Sequence, residues 1–158
     1  MATNLTDEEK RFVEEVGIVF EQTGLTRMSG RIFGWLLISE PSYQSPSEMA
    51  EALMASKGSI STTTRLLSQI GLIERVSMPG ERHHHFCLRP DALRHLLGHG
   101  LEDEIKMFRK LAERGLEALS GENPLTRSRL EEMHDTYSFL EQEFPVLLQS
   151  LEEKRKTK

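Results

Sequence analysis

Between Ser45 and Leu88 the local signals follow one another in an order that few folds accept. Ser45 is placed to cap a helix, with Pro46 at the first helical position, where a missing N–H costs nothing, and Glu48 in register to close a capping box. Met49, Ala50 and Leu53 give that helix an apolar face, and Ala55-Ser56 leaves room for only a short turn. Ser56 then caps a second helix from Lys57 to Ile70, in which Ile60, Leu67 and Ile70, with the Thr63 or Thr64 methyl between them, recur at helical spacing and are expected in the core. Gly71 supplies a left-handed stop. Leu72 to Met78 and Arg82 to Leu88 read as strands joined at Pro79-Gly80-Glu81. A short helix, a tight turn, a second helix and a hairpin together describe a winged helix-turn-helix.

The face of the second helix opposite its apolar residues carries Lys57, Ser61, Thr62 and Arg65, with Ser56 and Ser59 near its positive N-terminal end. Short hydroxyl side chains allow close backbone approach and reach phosphates or base edges, and an arginine can pair with guanine through two hydrogen bonds. This is the chemistry of a helix that reads the major groove. A merely solvated face would leave the consecutive threonines Thr62, Thr63 and Thr64, poor helix formers, without a purpose. Arg82 lies near the expected hairpin tip, where it can enter a minor groove narrowed by A·T-rich sequence. Arg75 and Arg89 are candidate phosphate contacts, each with the alternative of an ordinary surface charge.

Formal net charge is −5, which at first opposes binding to a polyanion. The distribution answers much of that objection. Residues 1–55 carry four Lys/Arg against nine Asp/Glu, and residues 96–158 carry ten against thirteen. Residues 56–95 carry six against three and hold four of the six histidines, so the basic excess falls on the proposed reading unit.

The flanks read as helices. Thr6 and Glu9 form another capping-box pattern, and Phe12, Val13, Val16, Val19 and Phe20 are expected to line one face of a helix ending near Gly24. Ile32 to Ile38 reads as a central buried helix. From Leu93, apolar positions at Leu97, Leu101, Ile105, Phe108, Ala112, Gly115 and Leu119 predict a helix of about 28 residues, roughly 40 Å long, weakened at Gly98 and Gly100. Ser120 to Pro124 breaks the chain. A last helix follows, with Leu130, Met133, Tyr137, Leu140, Phe144, Leu147 and Leu151 spaced as a coiled-coil seam and Pro145 set to kink it or free the carbonyl of Glu141. Such a seam calls for another subunit, for the preceding long helix, or for both.

Four segments resemble the multiple-antibiotic-resistance regulators, the MarR family, and within it the glycine-betaine repressor (GbsR-like) branch. They are Phe33-Gly34-Trp35-Leu36-Leu37, Ser45-Pro46-Ser47-Glu48-Met49-Ala50, Ser56-Lys57-Gly58-Ser59-Ile60-Ser61 and Gly71-Leu72-Ile73-Glu74-Arg75. The resemblance implies a homodimeric, ligand-responsive transcriptional regulator with Arg82 as its wing arginine, and the reading adopted is a repressor acting on double-stranded DNA at a pseudo-palindromic operator. It carries no effector across.

The expected fold is therefore mainly α, of the α+β kind: a winged helix-turn-helix with long N- and C-terminal dimerisation helices and a two-stranded wing. Residues 1–158 form one such domain, with 25–90 as the DNA-binding core and 1–24 and 91–158 as the helical dimerisation region. The competing reading is a winged-helix module that binds protein rather than nucleic acid.

His83, His85 and Cys87 share one face of the second strand and invite a zinc or metal-sensing reading, but four ligands are needed and no loop-spaced Cys or His completes the set. The plainer account puts the histidines on the wing strand, outside the core. His95 and His99, four apart on a helix, form a second pair. Phe20, Phe33, Trp35 and Tyr43 are candidates for an aromatic cage around a cationic small-molecule effector, against the simpler reading of an aromatic core. No Gly-rich phosphate loop and no nucleophile in a recognisable motif supports catalysis, and no cofactor is expected. The single cysteine excludes an intramolecular disulfide, in keeping with a reducing cytoplasm. No apolar run approaches membrane-spanning length, and Met1-Ala2-Thr3-Asn4 leads into a charged helix rather than a signal sequence.

Overall fold

A computed structural model describes residues 5–118 and 123–157, with the side chains of residues 97–99 outside that description. The chain forms two compact units, one up to Leu93 and one from Arg94.

In the first unit α1 (Asp7–Gln22) opens on the Thr6–Glu9 capping box, and α2 (Arg27–Ile38) packs antiparallel against it. Small residues bring the two backbones together. A Cβ on Gly30 would lie 2.5 Å from the Val16 carbonyl oxygen and 2.6 Å from the Gly17 Cα, so only glycine fits at that crossing. Next come β1 (Tyr43–Gln44), α3 (Pro46–Ala52) and α4 (Lys57–Gln69), then β2 (Ile73–Ser77) and β3 (His84–Leu88). Both predicted caps are present: Ser45 and Glu48 form a complete capping box on α3, and Ser56 caps α4. Gly71 and Gly80 take positive φ at the end of α4 and in the hairpin turn, the conformation their places require.

The winged helix-turn-helix expected from the order of signals is thus the observed fold, and the sheet holds one strand more than the two-stranded wing anticipated. Its order is β1-β3-β2, antiparallel throughout, with Tyr43 opposite Cys87, Gln44 opposite Phe86, and Ile73 opposite Leu88. Leu5, Val13, Phe20, Ile32, Phe33, Trp35, Leu36, Met49, Leu53, Ile60, Leu67, Leu72, Ile73 and Ala92 make one continuous core beneath α4 and the sheet.

Four residues expected to be buried are exposed, Leu37 of α2 among them. Phe12 and Val19 are exposed on α1, because the close α1–α2 contact is made by Val13, Gly17 and Phe20. Ile70 is exposed because it is the C-terminal cap of α4, where the helical periodicity no longer governs direction.

The second unit holds most of α5 (Ala92–Ala118) and all of α6 (Pro124–Lys156). Within it the two helices run antiparallel. The Phe108 and Tyr137 rings stack at 5.0 Å, Arg109 reaches Glu113 and Glu141, Arg94 reaches Glu152, and Gly115 faces Leu130. The intramolecular pairing of the last two helices is therefore present. Along the seam Leu140, Leu147 and Leu151 are exposed on the single chain, and past Pro145, which cannot donate to the Glu141 carbonyl, Leu148 is buried rather than Leu147. Leu93 and Leu101, among the apolar positions that predicted α5, are exposed on the single chain. The break at Ser120–Glu122 and the position of Leu119 lie outside the described residues, as do the side chains of Leu97, Gly98 and His99. Among the described residues no helix is long and apolar enough to cross a membrane.

Candidate nucleic-acid interface

Helix α4 begins where the Ser56 hydroxyl accepts the Ser59 amide at 3.1 Å. Ile60 and Leu67 anchor it, and both Thr63 and Thr64 turn inward with them. Thr64 satisfies its hydroxyl by donating to the Ile60 carbonyl at 2.9 Å, so burying it leaves no polar group unpaired. The opposite face is the one the spacing predicts: Lys57, Ser61, Thr62 and Arg65 are exposed together, with Ser59 half-buried.

Two adjoining clefts run between α4 and the hairpin. One, of about 500 Å³, is bordered by Lys57, Ser61, Arg75, Arg82, His83 and His84 and by the α3 start at Ser45 to Ser47. The other, of about 620 Å³, is bordered by Ser61, Arg65, Ser68, Gln69, Glu74, Arg75 and Arg89. Ser61, Thr64, Arg75 and Phe86 border both, so Arg75 stands where the two meet. Of the residues singled out in the sequence, Lys57, Ser61, Arg65, Arg75 and Arg82 are brought to this groove, and Ser56, Ser59 and Thr62 stand outside its walls. Lys57, Arg65, Arg75 and Arg82 form no ion pair among the described residues. Arg89 differs: its guanidinium pairs with Asp91 at 3.1 Å.

The walls include residues the sequence reading did not select. Ser45 and Ser47 belong to the α3 cap, whose signal was legible but whose distance from the wing was not. His84 and Phe86 line the groove because strand alternation sends them to the face opposite His85.

The histidine tract is divided. His83 and His84 are exposed, but His85 is buried, which corrects the expectation that all three lie outside the core. Its Nε2 sits 3.0 Å from Glu81 Oε2, its ring meets Tyr43 edge-on at 5.4 Å, and its Nδ1 is buried with no partner among the described residues. Cys87 is half-buried opposite Glu74, and burial, then the Glu74 charge, pushes its thiol above the ordinary value. His83 precedes the strand rather than sharing a face with the other two, and no three His, Cys, Asp or Glu residues converge as a metal set among the described residues. The aromatic cage does not assemble either. Phe20 and Phe33 pack together at 5.2 Å in the core and Trp35 is buried, whereas Tyr43 lies on the sheet against His85.

At the α3 cap, burial raises the Glu48 carboxyl, but hydrogen bonds from the Ser45 backbone and side chain, with the field of His85, carry it below its ordinary value of 4.5. The capped start of α3 is thereby tied to the ionised form of Glu48.

A polar helix face flanked by unpaired arginines and a β-hairpin, on a helix-turn-helix, defines the winged helix-turn-helix class of transcriptional regulators. The profile of the "MmpR5-like MarR family transcriptional regulator" group matches residues 91–154. The HTH-type transcriptional regulator MmpR5 of Mycobacterium tuberculosis (strain ATCC 25618 / H37Rv) is 43% identical over 133 residues, which are 82% of this chain and 78% of that protein. A crystal structure of a transcriptional regulator, 39% identical, superposes with a TM-score of 0.69 over 92% of this chain and 99% of its own. The chain belongs to the MarR family of transcriptional regulators, in its MmpR5-like group.

Proposed function

We propose that this regulator works as a homodimeric, ligand-responsive repressor that reads a pseudo-palindromic operator with α4 in the major groove and the hairpin alongside. The observation that carries the reading is the exposed set Lys57, Ser61, Thr62 and Arg65, facing outward beside a groove edged by Arg75 and Arg82. In this reading Ser56 and Ser59 approach a phosphate at the helix start, Arg65 contacts a base, Arg82 enters the minor groove, and residues 25–90 form the reading core.

Residues 1–24 and 91–158 supply the dimer contact. Support comes from the apolar side chains that one chain leaves uncovered on α5 and α6, among them Met107, Leu111, Phe139 and Leu147. Two-fold symmetry then sets half-sites about 34 Å apart, one helical turn. A small-molecule effector acts by favouring a spacing that no longer matches successive grooves. The protein acts on DNA in the cytoplasm. The GbsR-like branch rests on the motifs in residues 33–75 alone, since the relatives described above are MmpR5-like or named only as a regulator.

Selection of bound sequences from a random DNA library tests the reading. It predicts a recovered palindrome with half-sites one turn apart, bound with an affinity that falls steeply with salt. Recovery of no preferred sequence contradicts it.

A further inference from the structure

The turn that joins α3 to α4 is closed in part by a residue from outside the helix-turn-helix. Leu53 ends α3, and Met54 behind it has φ +48°. The Met54 amide donates to the Glu51 carbonyl at 3.2 Å and the Ala55 amide to the Ala50 carbonyl at 2.9 Å, the pair of bonds that closes a helix on a left-handed residue. Neither bond serves the Leu53 carbonyl. Its donor is Arg31 Nη2 of α2, at 2.8 Å. Helix α3 has no basic residue in its own last turn, so this guanidinium also brings the positive charge that a helix C-terminus favours.

Arg31 is itself braced. Its Nε lies 2.6 Å from Glu14 Oε1 on α1, as an ion pair rather than an aligned hydrogen bond, and the other Glu14 oxygen accepts from Arg27 Nη2 at 3.2 Å. The arginine stem packs against the backbone of Gly17 of α1, in the space a side chain there would need, since a Cβ on Gly17 would stand 3.0 Å from its Cγ. Glu14, Arg31 and the Leu53 carbonyl therefore form a charged strut from α1 through α2 to the turn that leads straight into the Ser56 cap of α4.

We propose that Arg31 is a positioning residue for sequence recognition, one that sets the angle at which α4 leaves the turn. The inference rests on the reading of α4 as the recognition helix. Arg31 borders neither cleft, so it acts through the turn rather than by touching DNA. Base-edge contacts depend on that angle, whereas phosphate contacts position the protein without reading sequence. Specific affinity therefore depends on the strut and non-specific affinity does not.

The test compares wild type, Arg31→Met and Arg31→Lys in operator and random-DNA titrations over a series of salt concentrations. Arg31→Met is expected to lose operator affinity by about tenfold or more, the loss that removing a single well-placed contact produces. Affinity for random DNA and the salt slope should stay unchanged, and Arg31→Lys, which keeps the charge and a donor, should recover part of the loss. An unchanged ratio of specific to random affinity overturns the proposal, and so does a parallel loss on both DNAs with a shallower salt slope, which would mark a phosphate ligand. Amide hydrogen exchange at residues 55–59 reads the strut without DNA. Faster exchange in Arg31→Met, concentrated in that turn, supports it, and unaltered exchange there overturns it. If Arg31→Met fails to fold, Glu14→Gln and Arg31→Lys carry the same measurements. A wild-type protein with no sequence preference would refute the recognition reading instead, leaving the exchange result to decide the strut.

Discussion

Arg65 is exposed on the polar face of α4 and borders one cleft but not the other, so its reach is directed to one side of the helix. If it reads a base, Arg65→Ala should cost about 1–3 kcal/mol of operator affinity and relax discrimination at one position. Competition binding with single-base operator variants checks this, and undiminished discrimination would assign the residue to a phosphate. Met54 holds a conformation that costs an L-residue with a side chain about 1 kcal/mol or more, on a turn where nothing else demands methionine, as its 88% exposure indicates. Met54→Gly should therefore raise the denaturation midpoint. Glu48 gives a pH dependence of definite sign. Its folded-state pKa is depressed, so its stabilising contribution is complete above the ordinary value of 4.5 and is lost as pH falls through the lower folded-state value. The stability gap between wild type and Glu48→Gln, measured by urea denaturation, should be widest near neutral pH and close in acid. A gap that widens on acidification would contradict the capping-box account.

Among the elements, α3 and α4 were legible almost to the residue because their boundaries are local chemistry: Ser45 with Glu48, Pro46, Ser56 and Gly71 act within a few positions of themselves. β1 was not, since two residues carry no periodic signal and Tyr43–Gln44 becomes a strand only by pairing with β3 far along the chain. Helical spacing likewise told which residues share a face but not whether the face is covered, which is why Phe12 and Val19 proved exposed. The groove was half legible. Lys57, Ser61 and Arg65 came from one helix period, whereas the walls made by Ser45, Ser47, His84 and Phe86 depend on how α3 and the sheet meet α4. The same limit hid Arg31, whose partners lie on α1 and at the end of α3. At the α1–α2 crossing, contact between backbones leaves no space for a methyl group: Gly30→Ala would press on the Val16 carbonyl and the Gly17 backbone. We expect it to destabilise the fold by about 1–3 kcal/mol or more, the usual range for overpacking, as measured by thermal unfolding.

For the whole molecule, the unspent apolar surface sets the expectation. Leu147 is 64% exposed and Phe139 62%, positions where a charged residue does no harm to an isolated chain. If α5 and α6 meet a second copy, Leu147→Glu should shift the protein from dimer to monomer in sedimentation equilibrium while its helical circular dichroism persists. Operator affinity should fall with it, because two linked reading heads bind far more tightly than either alone. A dimer of unaltered strength would move the subunit contact elsewhere.

The pairing of Tyr43–Gln44 with β3 stitches the base of the hairpin to the body, while the segment from Met78 to His83 belongs to no strand. Insertions, deletions and charge swaps in that loop can therefore accumulate without unpicking any ladder. It is the natural place for related regulators to diverge in the flanking bases they prefer, and the first cassette to exchange when retargeting one of them.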